Sequence, residues 1–136
     1  MVQILTPYQM ETHGLVVTVM PAYLAHESDP AEERYVWGYA IRIRNTTDQS
    51  AQLVERHWII YDALGRKEEV MGEGVVGDRP VIKPHDFYDY KSGVPLKTPS
   101  GLMQGRYRFT TTQNESFWVD IPPFSLDSPH DGASKH

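Results

Sequence analysis

Arg34-Tyr35-Val36-Trp37-Gly38-Tyr39-Ala40-Ile41-Arg42-Ile43-Arg44-Asn45 is the stretch that decides the fold. Side chains along a strand alternate between its two faces. Tyr35, Trp37, Tyr39, Ile41 and Ile43 therefore share one face, with Arg42 and Arg44 on the other. Such sidedness belongs to an antiparallel strand with one face on a core and one in water.

Working outward, the same period of two recurs. Leu15 to Met20 is short and β-branched, and Pro21 is expected to end it. Asp29-Pro30-Ala31-Glu32 reads as a single helical turn, with Asp as cap and Pro at the first position. After the Asn45–Asp48 turn, Ala51 to Tyr61 forms a second strand whose sidedness is less clean. Asp62-Ala63-Leu64-Gly65 reads as a hairpin loop, and Arg66 to Val70 as a charged edge strand. Phe87 to Ser92 is a further strand, with Tyr88 and Tyr90 opposite Phe87 and expected to face outward. Met103, Tyr107 and Phe109 alternate with Gln104, Arg106 and Arg108. Phe117, Val119 and Ile121 alternate with Trp118 and Asp120, and Pro122-Pro123 is expected to stop that strand. These last two strands read as a hairpin.

About seven short strands with turn residues between them predict an all-β domain. The expected form is an immunoglobulin-like or fibronectin type III-like sandwich of two antiparallel sheets. Ten prolines and ten glycines punctuate the chain, and no stretch between them carries a convincing helical pattern. The expected organisation is a flexible segment over 1–14, the sandwich over 15–127 and a polar, disordered tail over 128–136.

Composition narrows the function classes. The 136 residues have room for one core. Three Trp, eight Tyr and four Phe supply much of its buriable area. A net charge of −5 argues against general nucleic-acid binding, which needs a basic surface. The absence of cysteine excludes a disulfide framework, a thiolate metal site and a cysteine nucleophile. Met1 to Met10 shows neither a basic leader nor a sustained apolar run, so a cytoplasmic protein without a membrane segment is expected.

Several phrases, in order, resemble the bacterial ApaG family. They are Arg34-Tyr35-Val36-Trp37 before Ile41-Arg42-Ile43, and Arg56-His57-Trp58-Ile59-Ile60 before Asp62 and Gly65. Glu69-Val70-Met71-Gly72-Glu73-Gly74-Val75-Val76-Gly77, Tyr90-Lys91-Ser92-Gly93 and Thr98 to Tyr107 follow, and Phe124-Ser125-Leu126 closes the match. The likeness runs from about Leu15 to Leu126. One departure is Lys83-Pro84-His85-Asp86, where the family usually has glycine after the proline. The resemblance implies a fibronectin type III-like sandwich, a link to cobalt and magnesium homeostasis, and no established biochemical activity. Related domains within an F-box protein and a DNA polymerase delta-interacting protein imply partner binding.

Gly72-Glu73-Gly74-Val75-Val76-Gly77 is a literal GxGxxG, the pattern that brings backbone close to a pyrophosphate at a helix N-terminus. Asp78-Arg79-Pro80 follows at once, so no helix can begin there. The alternatives are an anion-binding nest of Gly72, Gly74 and Gly77 with Arg79 beside it, or turns between sandwich strands. His57, within an apolar strand, is expected to be a hydrogen-bonded core residue. The six histidines show no ligand spacing, so no metal or other cofactor is expected. Glu68, Glu69, Glu73, Ser92 and Ser100 compose no evident catalytic set, and no enzyme is expected, a hydrolase whose site is assembled only by folding being the lesser alternative. The favoured reading is an interaction module for an unidentified protein partner, with homo-oligomerisation left open. Its candidate contact residues are Trp118, Tyr88, Tyr90, Arg106 and Arg108. The alternative is a phosphate- or nucleotide-binding protein using the 72–77 loop.

Overall fold

The computed structural model describes residues 8–130. One sheet pairs β1 (Tyr8–Thr12), β2 (Leu15–Tyr23), β3 (Tyr35–Asn45) and β7 (Phe87–Leu96) in that order. The other runs β5 (Lys67–Glu73), β4 (Ala51–Asp62), β8 (Gly101–Thr111) and β9 (Ser116–Leu126), with β6 (Val81–Ile82) paired to β4. All pairings are antiparallel. The two sheets pack face to face as the expected sandwich, with nine strands described in place of about seven. Two single 3₁₀ turns, Ala25–Glu27 and Pro30–Glu32, interrupt the path from β2 to β3. The second is the expected turn, although the Asp29 side chain makes no capping hydrogen bond. Among the described residues no helix is long and apolar enough to cross a membrane.

β3 behaves as its pattern dictates. Trp37, Tyr39, Ile41 and Ile43 are buried, while Arg42 and Arg44 are exposed. Trp58 of β4 meets this face from the opposite sheet. Its ring stands edge-on to Tyr39 at 5.4 Å between centroids and to Phe124 at 6.0 Å, and edge-to-face contact is the arrangement that aromatic quadrupoles favour. The blurred sidedness of β4 has a local cause. Its register with β8 shifts between Leu53 and Glu55, a bulge that leaves both Leu53 and Val54 buried.

Several expectations need correction. Residues 8–12 are strand β1, not part of a flexible segment, and the Thr12 hydroxyl accepts a bond from the Asp120 amide at 3.2 Å. Residues 1–7 lie outside the description. Pro21 does not end β2, which continues to Tyr23. Pro21 stays in register with Tyr39 of β3, so the ladder on that side continues past it. Pro122-Pro123 does not stop β9 either. Met103 pairs with Phe124 and Gly105 with Ile121, so both prolines oppose the single residue Gln104 in a bulge of an edge strand. In the supposed tail, Ser128 Oγ donates to the Pro99 carbonyl at 2.6 Å, and the His130 ring lies 5.9 Å from Tyr23 and Tyr35. Residues 131–136 lie outside the description. His85, where the resemblance implies a glycine, adopts a left-handed φ of 62°. Histidine is among the side chains that tolerate this region.

Candidate functional site

The outer face of β4, β8 and β9 carries three of the expected contact residues. Trp118 points away from the core, half-buried, and the Arg106 guanidinium lies over its ring at 4.1 Å from the centroid. Arg108 is held differently. Its Nε bonds the Glu55 carboxylate and its Nη1 donates to Ser116 Oγ at 3.0 Å. Arg106 is therefore the cation left to face outward. Beside it runs a groove of about 380 Å³ lined by Met10, His57, Ile59, Gln104, Arg106 and Asp120, among others. His57 lies at this groove and not in the core. Its Nε2 meets Glu69 Oε2 at 2.8 Å, and this bond holds the Glu69 carboxyl below its ordinary range. Among the described residues, the groove lining includes no serine, threonine or cysteine.

Tyr88 and Tyr90 do not belong to that surface. The parity of β7 is the reverse of the expected one: Phe87 is 43 % exposed and Tyr90 only 8 %. Phe87 can stay outside because Arg42 and Arg44 place their guanidinium carbons 4.0 and 5.4 Å from its ring centroid. Tyr90 goes inside because its hydroxyl finds that of fully buried Tyr107. Tyr88 is half-buried, and its hydroxyl donates to Asp78 Oδ2 at 3.1 Å.

The glycine-rich segment is a tight strand connection. Gly72 lies within β5 opposite Arg56, and only the residues after Glu73 form a loop. The Gly74 amide donates to the Val54 carbonyl at 3.0 Å. Val75 and Asp78 exchange amide-to-carbonyl bonds at 2.8 Å. Three of the amides an anion would need are thus taken, and Asp78 adds a carboxylate. The Arg79 carbonyl accepts from Gln52 Nε2 at 3.0 Å, and its Cγ packs where a Gly74 side chain would start. Gly72, Gly74, Gly77 and Arg79 do not converge as a phosphate cradle.

Val76, in the same loop, has φ 43° and is 58 % exposed. A β-branched residue in the left-handed region is strained, by about 1–2 kcal/mol for a side chain that does not favour it. Val76→Asn is expected to raise stability by about 1 kcal/mol, because asparagine visits this region readily. A shift of the urea midpoint at constant slope would record it. A fall in stability would instead show that the valine methyls contribute packing that outweighs the strain.

A second recess lies between the sheets, where the edge strands β5 and β7 leave the sandwich open. It encloses about 340 Å³. Trp58, Val70, Val75, Val94 and Met103 form apolar walls, while Tyr39, Arg56, Tyr90 and Ser92 contribute polar groups. Burial pushes the hydroxyls of Tyr39, Tyr90 and Tyr107 upward in pKa, so all three are neutral at physiological pH. In the sequence, Arg56 stands out only as part of the Arg56–Ile60 phrase that carries the family resemblance. The informative signal was its parity: Arg56 shares the inward stripe of Trp58 and Ile60. Among the described residues no group of three or more His, Asp or Glu is placed to hold a metal ion.

Comparison with known proteins agrees with this architecture. The sequence model of the ApaG domain matches residues 25–111. Protein ApaG of Paramagnetospirillum magneticum is 48 % identical over 124 residues, covering 91 % of this chain and 95 % of its own. Protein ApaG of Agrobacterium fabrum is 52 % identical over 122 residues, covering 90 % and 94 %. A Bordetella pertussis protein solved by crystallography under the name ApaA superposes with a TM-score of 0.82 at 41 % identity, over 90 % of this chain and 98 % of that one. A β-sandwich with this sequence over nearly its whole length belongs to the ApaG family.

Proposed function

We propose that the domain works by recognising a protein partner through the outer face of β4, β8 and β9, and not by catalysis. The observation that carries this is the Arg106–Trp118 stack beside a groove with apolar walls. Arginine and tryptophan are the side chains that most often dominate binding energy at protein interfaces. Stacking also holds the guanidinium in place before a partner arrives, which lowers the entropic cost of binding. The partner surface that fits presents a carboxylate to Arg106 and apolar side chains to Met10 and Ile59. Beside the His57–Glu69 pair, the described residues of the groove offer no hydroxyl or thiol nucleophile, which suits recognition better than hydrolysis. The family's link to cobalt and magnesium is then indirect, carried by the partner.

Trp118 lies outside the core cluster, so Trp118→Ala is expected to cost only about 1 kcal/mol of stability, the scale of a surface cation–π contact. Arg106→Glu is expected to leave the melting temperature nearly unchanged. Both variants should weaken partner binding at least roughly tenfold, as loss of an interface hot spot does. Affinity capture from the native cell, comparing each variant with the unaltered protein, tests this. Undiminished capture of the same partner by folded Arg106→Glu would refute it.

A further inference from the structure

We propose that the recess between β5 and β7 is a second, separate binding site, for a small organic carboxylate with an apolar body. It does not depend on the partner surface, which lies on the opposite, outer face of β4, β8 and β9. Arg56 carries the argument. It is half-buried, it lines the recess, and among the described residues no carboxylate pairs with it. A cation withdrawn from water without an anion is costly, and a bound carboxylate would relieve that cost.

The guanidinium is already positioned. Its Nη1 donates to the Glu73 and Gly74 carbonyls, each at 2.9 Å. A side chain at Gly72 would meet its Cζ and Nη2 at 2.8 Å, so the backbone of β5 packs directly against it. Those bonds employ Nη1 alone and leave the Nε and Nη2 protons for a ligand. Tyr39 and Ser92, cross-strand partners in register, bring neutral hydroxyls to the same recess. Arginine with neutral hydroxyl donors is the set that holds an oxyanion. The walls beyond them are Trp58, Val70, Val94 and Met103, which suit an aromatic or branched aliphatic body.

The same recess limits the charge it accepts. Among the described residues, Arg56 is the one cationic group that lines it. Glu68 lines the far end, opposite Ile60 and four residues along β4 from Arg56, which is about 13 Å of strand. A second negative charge on the ligand would meet Glu68 with no cation to offset it. A singly charged carboxylate is therefore preferred over a polyphosphate. The volume of 340 Å³ is that of roughly eleven waters, at the small end for a ligand pocket.

Titration of the full chain with phenylacetate, phenylacetamide and inorganic phosphate, followed by amide chemical shifts, tests the proposal. Phenylacetate is expected to give saturable shifts at Tyr39, Trp58, Val70, Ser92 and Val94, and to bind roughly ten- to a hundredfold more tightly than its neutral amide. Phosphate, lacking an apolar body, is expected to bind more weakly than phenylacetate. Arg56→Gln should abolish the preference for the acid. Because Arg56 also ties down the 73–74 backbone, Tyr39→Phe provides a gentler variant that keeps the ring and should weaken phenylacetate alone. Three results would overturn the proposal: no saturable shift at tens of millimolar, equal binding of acid and amide, or shifts confined to the outer face around Arg106.

Discussion

Gly74→Ala is expected to destabilise the domain by about 3 kcal/mol or more, summing left-handed strain of about 1–2 and steric overlap of about 1–3. Gly74 has φ +61°, and a methyl group there would lie 2.1 Å from the Asp78 carbonyl oxygen. That oxygen is not free to retreat, since it accepts the Val75 amide in the bridge that closes the loop. The other glycines of the motif have different reasons to be glycine. A methyl at Gly77, φ +80°, meets nothing within 4 Å, so Gly77→Ala should cost only the left-handed strain, about 1–2 kcal/mol. At Gly72 the methyl meets the Arg56 guanidinium at 2.8 Å, the far end of a flexible side chain. Gly72→Ala should therefore cost less than Gly74→Ala while loosening Arg56 from its two carbonyls. Urea midpoints for the three variants would give the order. Comparable losses at Gly77 and Gly74 would mean that Gly77 serves something other than chain geometry.

That gradation explains why a dinucleotide-like string can sit in a protein of this fold. Each glycine meets a separate local demand of a strand end and a tight loop, and their spacing is incidental. A regular expression cannot distinguish such demands from a phosphate cradle. The context could, because Asp78-Arg79-Pro80 leaves no room for a helix.

Legibility elsewhere followed from how many forces agreed. β3 could be read directly because one face is dry and the other carries Arg42 and Arg44 in water. β4 resisted because a bulge at Leu53–Glu55 shifts the parity midway. The prolines misled for a common reason. A missing amide matters only where a neighbouring strand needs it: Pro21 keeps its register with Tyr39, and Pro122 and Pro123 lie in a bulge of an edge strand. In β7, Phe87, Tyr88 and Tyr90 are all aromatic, so hydrophobicity could not orient them. Orientation came from partners distant in sequence: guanidiniums over Phe87 and the Tyr107 hydroxyl for Tyr90. Trp118 and Arg106 accordingly lie on the outer face, where alternation with core residues put them, and Tyr90 lies in the interior. The recess escaped notice because it is assembled from both sheets, and only the inward parity of Arg56 pointed to it.

The buried hydroxyls make the stability of the domain steeply sensitive to alkali. Tyr90 and Tyr107 share a hydrogen bond in the core, and burial is the main cause holding both protonated well beyond the ordinary tyrosine range. Tyr39 is raised by the same cause. A group whose pKa is higher in the folded state contributes its full stability below the unfolded value. That contribution is lost as pH rises toward the folded value. The loss therefore begins near pH 10, the ordinary value for these side chains, and proceeds at roughly 1.4 kcal/mol per pH unit for each hydroxyl that stays neutral. By pH 11 the Tyr90–Tyr107 pair alone should have removed roughly 3 kcal/mol, a large share of a typical domain's 5–15 kcal/mol. Tyr90→Phe/Tyr107→Phe removes both partners at once, which for a buried pair of preserved shape is nearly neutral at pH 7. The double variant should therefore keep its stability at neutral pH and show a shallower decline above pH 10. A single Tyr107→Phe exchange should do worse at pH 7, because it deprives the Tyr90 hydroxyl of its buried partner. Urea unfolding at a series of pH values from 7 to 11 reads all three. An alkaline slope unchanged in the double variant would show that these hydroxyls ionise in the folded protein as they do in water, and that the core around them admits solvent.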